Sequence, residues 1–177
     1  MNKEIFSVSN EEIKELVFKK AKEFSISPYL ILGIIKKESS FNNQAVRYEQ
    51  NWRWPFNIEM FAKLNKITFN TENNLQSHSW GLMQVMGTVA RELGHRGTFF
   101  ELLIPDVNLT YGCLKLASLL KKYSTEDNAI SAYNQGNVRR LADGRYANFD
   151  YVDQVKQFKR EFEGLSGGIN DDKMDES

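Results

Sequence analysis

The sequence predicts a mainly α-helical single domain carrying one small irregular or β-hairpin insertion, and three observations support this. Apolar residues recur at helical spacing through several segments, and Ser, Thr or Pro stands where each of the strongest should begin. Between the first and second motif-bearing segments, roughly 48–79, the chain turns polar and aromatic and loses its period. At 177 residues it is long enough to bury one sizeable core. The domain is expected over 1–165, with 166–177, rich in Gly, Ser and Asp, as a disordered acidic tail.

Ser9 and Glu12 form a capping-box pattern, and Ile13, Leu16, Val17, Ala21 and Phe24 share one face, which predicts a helix over 10–24. Ser27 and Pro28 open a second helix that ends near Ser40. Leu30, Ile31, Leu32, Ile34 and Ile35 leave it almost no polar face, so other helices should surround it. Its last turn carries Glu38. Lost hydration and the carbonyl end of the helix both favour a protonated carboxyl there, as a general acid requires. On this stretch alone, pairing with Lys36 or Lys37 at the surface is an equal alternative.

Tyr48, Trp52 and Trp54 stand in a loop where they either stack on sugar faces or close over the core. A short helix is expected over 58–64 and a brief strand over 66–70. In the apolar stretch 80–86, Gln84 is a buried amide that must find partners in the protein or in a ligand, and Thr88 is expected to cap a helix stopped by Gly94. Thr98 and Glu101 form another capping box, and Pro105 and Asp106 precede the longest regular helix, 107–123. Helices follow over 126–133, 137–142 and 149–162. Tyr133-Asn134-Gln135-Gly136 reads either as a polar ligand-holding turn or as an ordinary helix stop.

Lys+Arg and Asp+Glu number 23 each, so no global field draws the chain to nucleic acid or an anionic membrane. Cys113 stands alone on an apolar stripe and reads as a structural thiol, while His78 and His95 lack ligand spacing. No metal and no cofactor is expected, and the protein is expected to be a monomer. No segment has the length of a membrane span, and residues 1–9 lack the apolar run of an export signal, so the expectation is either delivery by another route or a signal that lies outside this sequence.

Glu38-Ser39-Ser40-Phe41, then Gly81-Leu82-Met83-Gln84-Val85-Met86, then Ala132-Tyr133-Asn134-Gln135-Gly136 form an ordered set. Together they resemble the catalytic domain of the soluble lytic transglycosylases, relatives of goose-type lysozyme that cut the glycan strands of bacterial peptidoglycan. The resemblance covers about 9–162 and implies a lysozyme-like fold. It implies that Glu38 is the single acid/base, that Gln84 and Met86 line the sugar groove, and that the Tyr133 hydroxyl reaches the carboxylate or a neighbouring sugar. Asn134 would hold its turn together, and Tyr151-Val152 would shape the far side of the groove. The chain departs from the family where Arg47 stands in place of a common serine, where Gly87 replaces a proline, and in the insertion. Arg47-Tyr48-Glu49 followed by aromatic residues is most similar to phage-encoded members. The implied reaction cleaves the bond between N-acetylmuramic acid and N-acetylglucosamine and leaves a 1,6-anhydro ring. Two alternatives stand beside it. One is a water-using muramidase with a second carboxylate drawn from Glu49, Glu59 or Glu72, Glu49 being best placed. The other is an inactive glycan-binding or structural protein of the same fold.

Overall fold

The computed structural model describes residues 8–50 and 52–171. Helix α1 (Asn10–Phe24) starts at the expected capping box, in which Glu12 N–H reaches Ser9 Oγ and Ser9 N–H reaches the Glu12 carboxylate. Helix α2 (Pro28–Ser39) starts at Ser27, whose hydroxyl accepts from Leu30 N–H, and buries Leu30 through Ile35. Its main neighbour is α8 (Phe149–Asp171). A Cβ at Gly33 would lie 2.8 Å from the Val155 carbonyl, so only glycine lets the two helices meet this closely. That contact brings the first turn of α8 beside the last turn of α2.

Three short antiparallel strands, β1 (Val46–Tyr48), β2 (His78–Trp80) and β3 (Val85–Met86), form a sheet in the order β1-β2-β3. Arg47 faces Ser79 across the first pair, and Ser79 faces Met86 across the second. The chain between β1 and β2 leaves the sheet and returns as two helices, α3 (Ile58–Asn65) and α4 (Phe69–Gln76). The expected strand at 66–70 is therefore corrected. Lys66 takes a left-handed conformation that ends α3, and Thr68 caps α4 by accepting from Thr71 N–H.

A polar core holds this insertion. Glu72 and Arg91 are fully buried and paired twice, at 2.8 and 3.0 Å, and the guanidinium lies between the Phe61 and Phe99 rings. Arg91 also donates to the His95 and Gly97 carbonyls. Gln76 closes a second link, accepting from Phe56 N–H and donating to the Phe56 carbonyl. Glu72 is thus spent on structure and cannot be the second carboxylate proposed for a hydrolase; Glu59 is exposed beside a separate hollow near Met60 and Phe69.

Helix α5 (Gly87–Glu92) follows β3 directly. Thr88 is not its cap: the helix begins one residue earlier, and the buried Thr88 hydroxyl donates to Gln76 Oε1. A short 3-10 turn (Phe99–Leu103) with the expected Thr98–Glu101 box leads into α6 (Pro105–Lys122). There burial pushes the Cys113 thiol up to about 12, which fits packing and not nucleophilic attack.

Helix α7 (Glu126–Gln135) ends at Gly136 in a left-handed conformation. Residues 137–142 are not the expected helix. Arg140 bridges to Tyr146 around an Asp143-Gly144 turn, where Gly144 has φ 85° and Arg145 N–H caps onto the Asp143 carboxylate. That dipeptide is a tight-turn signal stronger than the weak apolar spacing around it. Helix α8 overruns its expected end at 162 and reaches Asp171; the rest of the expected tail, 172–177, lies outside the described residues.

Candidate active site

Glu38, in the last turn of α2, lines a cleft of about 530 Å³ whose walls come from the sheet, the start of the insertion, α6 and α7. Gln84, Met86, Tyr133, Asn134, Arg47 and Glu49 line the same cleft, so six of the residues singled out with Glu38 by sequence converge there. Tyr151 lies behind it. Its hydroxyl donates to Glu38 Oε1 at 2.6 Å, while its ring is almost entirely buried.

The tyrosine roles differ from the expectation. The Tyr133 hydroxyl does not meet Glu38; it donates to the Met83 carbonyl at 2.9 Å, fixing the turn between β2 and β3. The hydroxyl on the carboxylate is that of Tyr151, delivered by the α2–α8 contact. The same turn is anchored from below by Asn108, whose amide accepts from Met83 N–H and donates to the Trp80 and Leu102 carbonyls. From above, Ser39 donates to the Leu82 carbonyl. Gln84 takes φ 45° at the end of the turn, and its amide nitrogen serves the Ala45 and Gly81 carbonyls. The Gln84 nitrogen is thereby committed to the protein. Asn134 holds its turn, accepting at Oδ1 from Asn148, which is itself bonded to Ser131.

Across the cleft, Arg47 Nε lies 2.8 Å from Glu49 Oε1, and Ser79 Oγ lies 2.8 Å from the same oxygen and 3.2 Å from Met86 Sδ. Trp52 closes one end, its indole N–H donating to Thr88 Oγ1. Lys115, from α6, was not singled out by sequence. Its ammonium lies 2.7 Å from the Tyr133 carbonyl and 4.0 Å from the centre of the Tyr133 ring. The only hint was position: Lys115 is three residues after Gly112 and four before Leu119, both buried, so it stands at the edge of the inward face.

Burial raises the Glu38 pKa above the ordinary 4.5, and the Tyr151 hydrogen bond, then the charges of Lys115, Arg47 and Lys37, pull against that rise. Burial lowers Lys115 to about 8, with Glu38 opposing. Loss of any partner that favours the carboxylate therefore raises Glu38 further. For a reaction that starts from the protonated acid, Lys115→Met and Tyr151→Phe are each expected to move the alkaline limb of the pH–rate profile to higher pH. A pH profile of kcat/KM checks this, and an unmoved or downward-shifted limb would contradict the electrostatics of the cleft.

The transglycosylase SLT domain model matches residues 15–151. Curated relatives named membrane-bound lytic murein transglycosylase C, from Actinobacillus pleuropneumoniae serotype 5b (strain L20) and serotype 3 (strain JL03), are each 31% identical over 157 residues. Each match covers 80% of this chain and 35% of the relative, so the chain spans about a third of their length. Among solved structures, the lytic transglycosylase Slt from Pseudomonas aeruginosa, determined as an inactive mutant, is similar at 20% identity and a TM-score of 0.47, covering 88% of this chain and 22% of that one. No described helix is long and apolar enough to cross a membrane. By the family match across most of its length, the chain belongs to the transglycosylase SLT domain family.

Proposed function

We propose that this chain is a peptidoglycan lytic transglycosylase domain, acting on the cell wall, in which Glu38 is the single acid/base. The observation that carries the reading is a carboxyl group held half-buried in a cleft, kept protonated to higher pH by burial and aimed by the Tyr151 hydroxyl. Glu38 protonates the oxygen bridging N-acetylmuramic acid to N-acetylglucosamine, and that bond breaks with its electrons going to the leaving oxygen. The substrate's own N-acetyl group supports the cation at C1. The C6 hydroxyl of the same sugar then bonds to C1 and returns its proton to Glu38, so no water is consumed and a 1,6-anhydro ring remains. A pKa above the ordinary carboxylate range serves both proton transfers.

Membership in the family and the curated relatives' names support the substrate class. A hydrolase would need an activated water and, most simply, a free second carboxylate. Glu49 is the other carboxylate among the described residues lining the cleft, but it is engaged by Arg47 and Ser79. Digestion of purified sacculi followed by mass analysis of the soluble muropeptides tests the reading. Products ending in anhydro sugars are expected, and products heavier by one water would favour the muramidase with Glu49 as its base.

A further inference from the structure

The insertion between β1 and β2 carries a second hollow of about 500 Å³, and it shares a wall with the catalytic cleft: Tyr48 and Trp52 line both. The floor on the far side of that wall is α4 and the residue that caps its end, which present Asn70, Asn73, Asn74 and Ser77 to it. These positions follow the i, i+3, i+4, i+7 spacing of one helical face. An exposed helix face is ordinarily rich in Lys, Glu and Arg, yet this one is uncharged. The side-chain amides of Asn70, Asn73 and Asn74 make no hydrogen bond to the described residues and are exposed. Arg53 is the one charged residue among the described residues lining the hollow.

The surface is also held in place before anything binds. The opposite face of α4 is locked by the Glu72–Arg91 pair and by Gln76. The Trp52 ring is fixed by its bond to Thr88, and the Tyr48 ring leans on His78 with ring centres 5.1 Å apart. Aromatic faces beside neutral amides are the chemistry that recognises an N-acetylated sugar: the ring covers the apolar face of the pyranose, and the amides meet hydroxyl and acetamido groups. An acidic peptide or a phosphate would instead require clustered cations.

We propose that the insertion is an accessory glycan subsite, in which the Asn70–Asn73–Asn74 face, together with Tyr48 and Trp52, binds sugar units of the strand that run on past the catalytic cleft. This rests on the reading of the Glu38 cleft as a glycan-cleaving site. Its consequence is a preference for long strands. A tetrasaccharide that occupies the cleft gains nothing from α4, whereas a long strand is held at both places, and the rigid surface limits the ordering cost of that second contact.

The test is the triple variant Asn70→Ala/Asn73→Ala/Asn74→Ala, whose changes lie on an exposed helix face and suit helix propensity, with thermal unfolding as the control for folding. On long glycan strands, KM is expected to rise by about tenfold, since each lost polar contact is worth a factor of roughly two to ten. On the tetrasaccharide, kcat and KM should match those of the unchanged protein. In parallel, the same three changes made in a Glu38→Gln background should weaken retention on long strands by a similar factor. An unchanged KM on long strands, or an equal loss on both substrates, overturns the subsite. If the unchanged protein cleaves neither substrate but the asparagine changes still weaken strand binding, the subsite stands and the catalytic reading falls. If neither cleavage nor binding is seen, both fall.

Discussion

Glu38→Gln is expected to lower glycan cleavage about 10²- to 10⁴-fold, the range for losing a positioned general acid. The substitution keeps the shape of the side chain and leaves an oxygen to accept from Tyr151, so the cleft should persist. A second measurement separates lost chemistry from lost folding. Because burial raises the folded pKa of Glu38 above 4.5, the native state holds that proton more tightly than the unfolded chain. Whatever stability this lends is fully present below about 4.5 and is lost as pH rises through the folded value. The neutral amide carries no such loss. Relative to the unchanged protein, Glu38→Gln should therefore gain stability as pH rises through that window and show no gain below it. Urea unfolding at several pH values, beside turnover of sacculi, reads both effects. Full activity in the variant, or a stability difference that does not vary with pH, would remove Glu38 from the role proposed for it.

The largest stability effect is expected at the Glu72–Arg91 pair. Both side chains are fully buried, and Glu72→Ala would leave a guanidinium between two phenyl rings with no counter-charge. Breaking a buried pair in this way costs about 3–5 kcal/mol. Replacing both partners with apolar residues of similar size, Glu72→Leu with Arg91→Met, should recover much of the loss, because no charge is then stranded. The bonds from Arg91 to the His95 and Gly97 carbonyls are not replaced, so recovery should be incomplete. The shift of the urea midpoint across the two single variants and the double variant measures the coupling. A Glu72→Ala protein within about 1 kcal/mol of the original would show that the pair is not what holds the insertion.

The parts of this arrangement legible in the sequence were those encoded locally. Ser9 with Glu12, and Ser27 with Pro28, set the starts of α1 and α2 because a cap needs only residues within one turn. Glu38, Gln84, Met86, Tyr133 and Asn134 could be named because three short motifs carry them, and Arg47 and Glu49 because they stand at a departure from the family pattern, although no motif states which atoms meet. The Tyr133 hydroxyl turned to the Met83 carbonyl, and Tyr151 supplied the bond to Glu38, through a helix contact that depends on the absence of a side chain at Gly33. The segments misread were those where a short-range preference lost to its surroundings. Ile67 and Phe69 favour a strand, but a left-handed Lys66 and a capping Thr68 make the same residues the joint between two helices. Glu72 stood as a candidate second carboxylate in a polar, aperiodic insertion, and only its distant partner Arg91 explains its burial. Lys115 was hidden for the same reason, since a lysine in a long amphipathic helix carries no mark of the charge it will face.

The bond between Tyr151 and Glu38 joins positions 113 residues apart in the chain. Loop closure over such a span gains its reward only after the intervening helices have collapsed, so the carboxyl acquires its aim late in folding. A partly assembled molecule, with α8 still undocked, would hold the acid without its orienting phenol and leave the greasy side of α2 uncovered. The aim of the Glu38 carboxyl and the closure of the interior over α2 would then arrive in the same step.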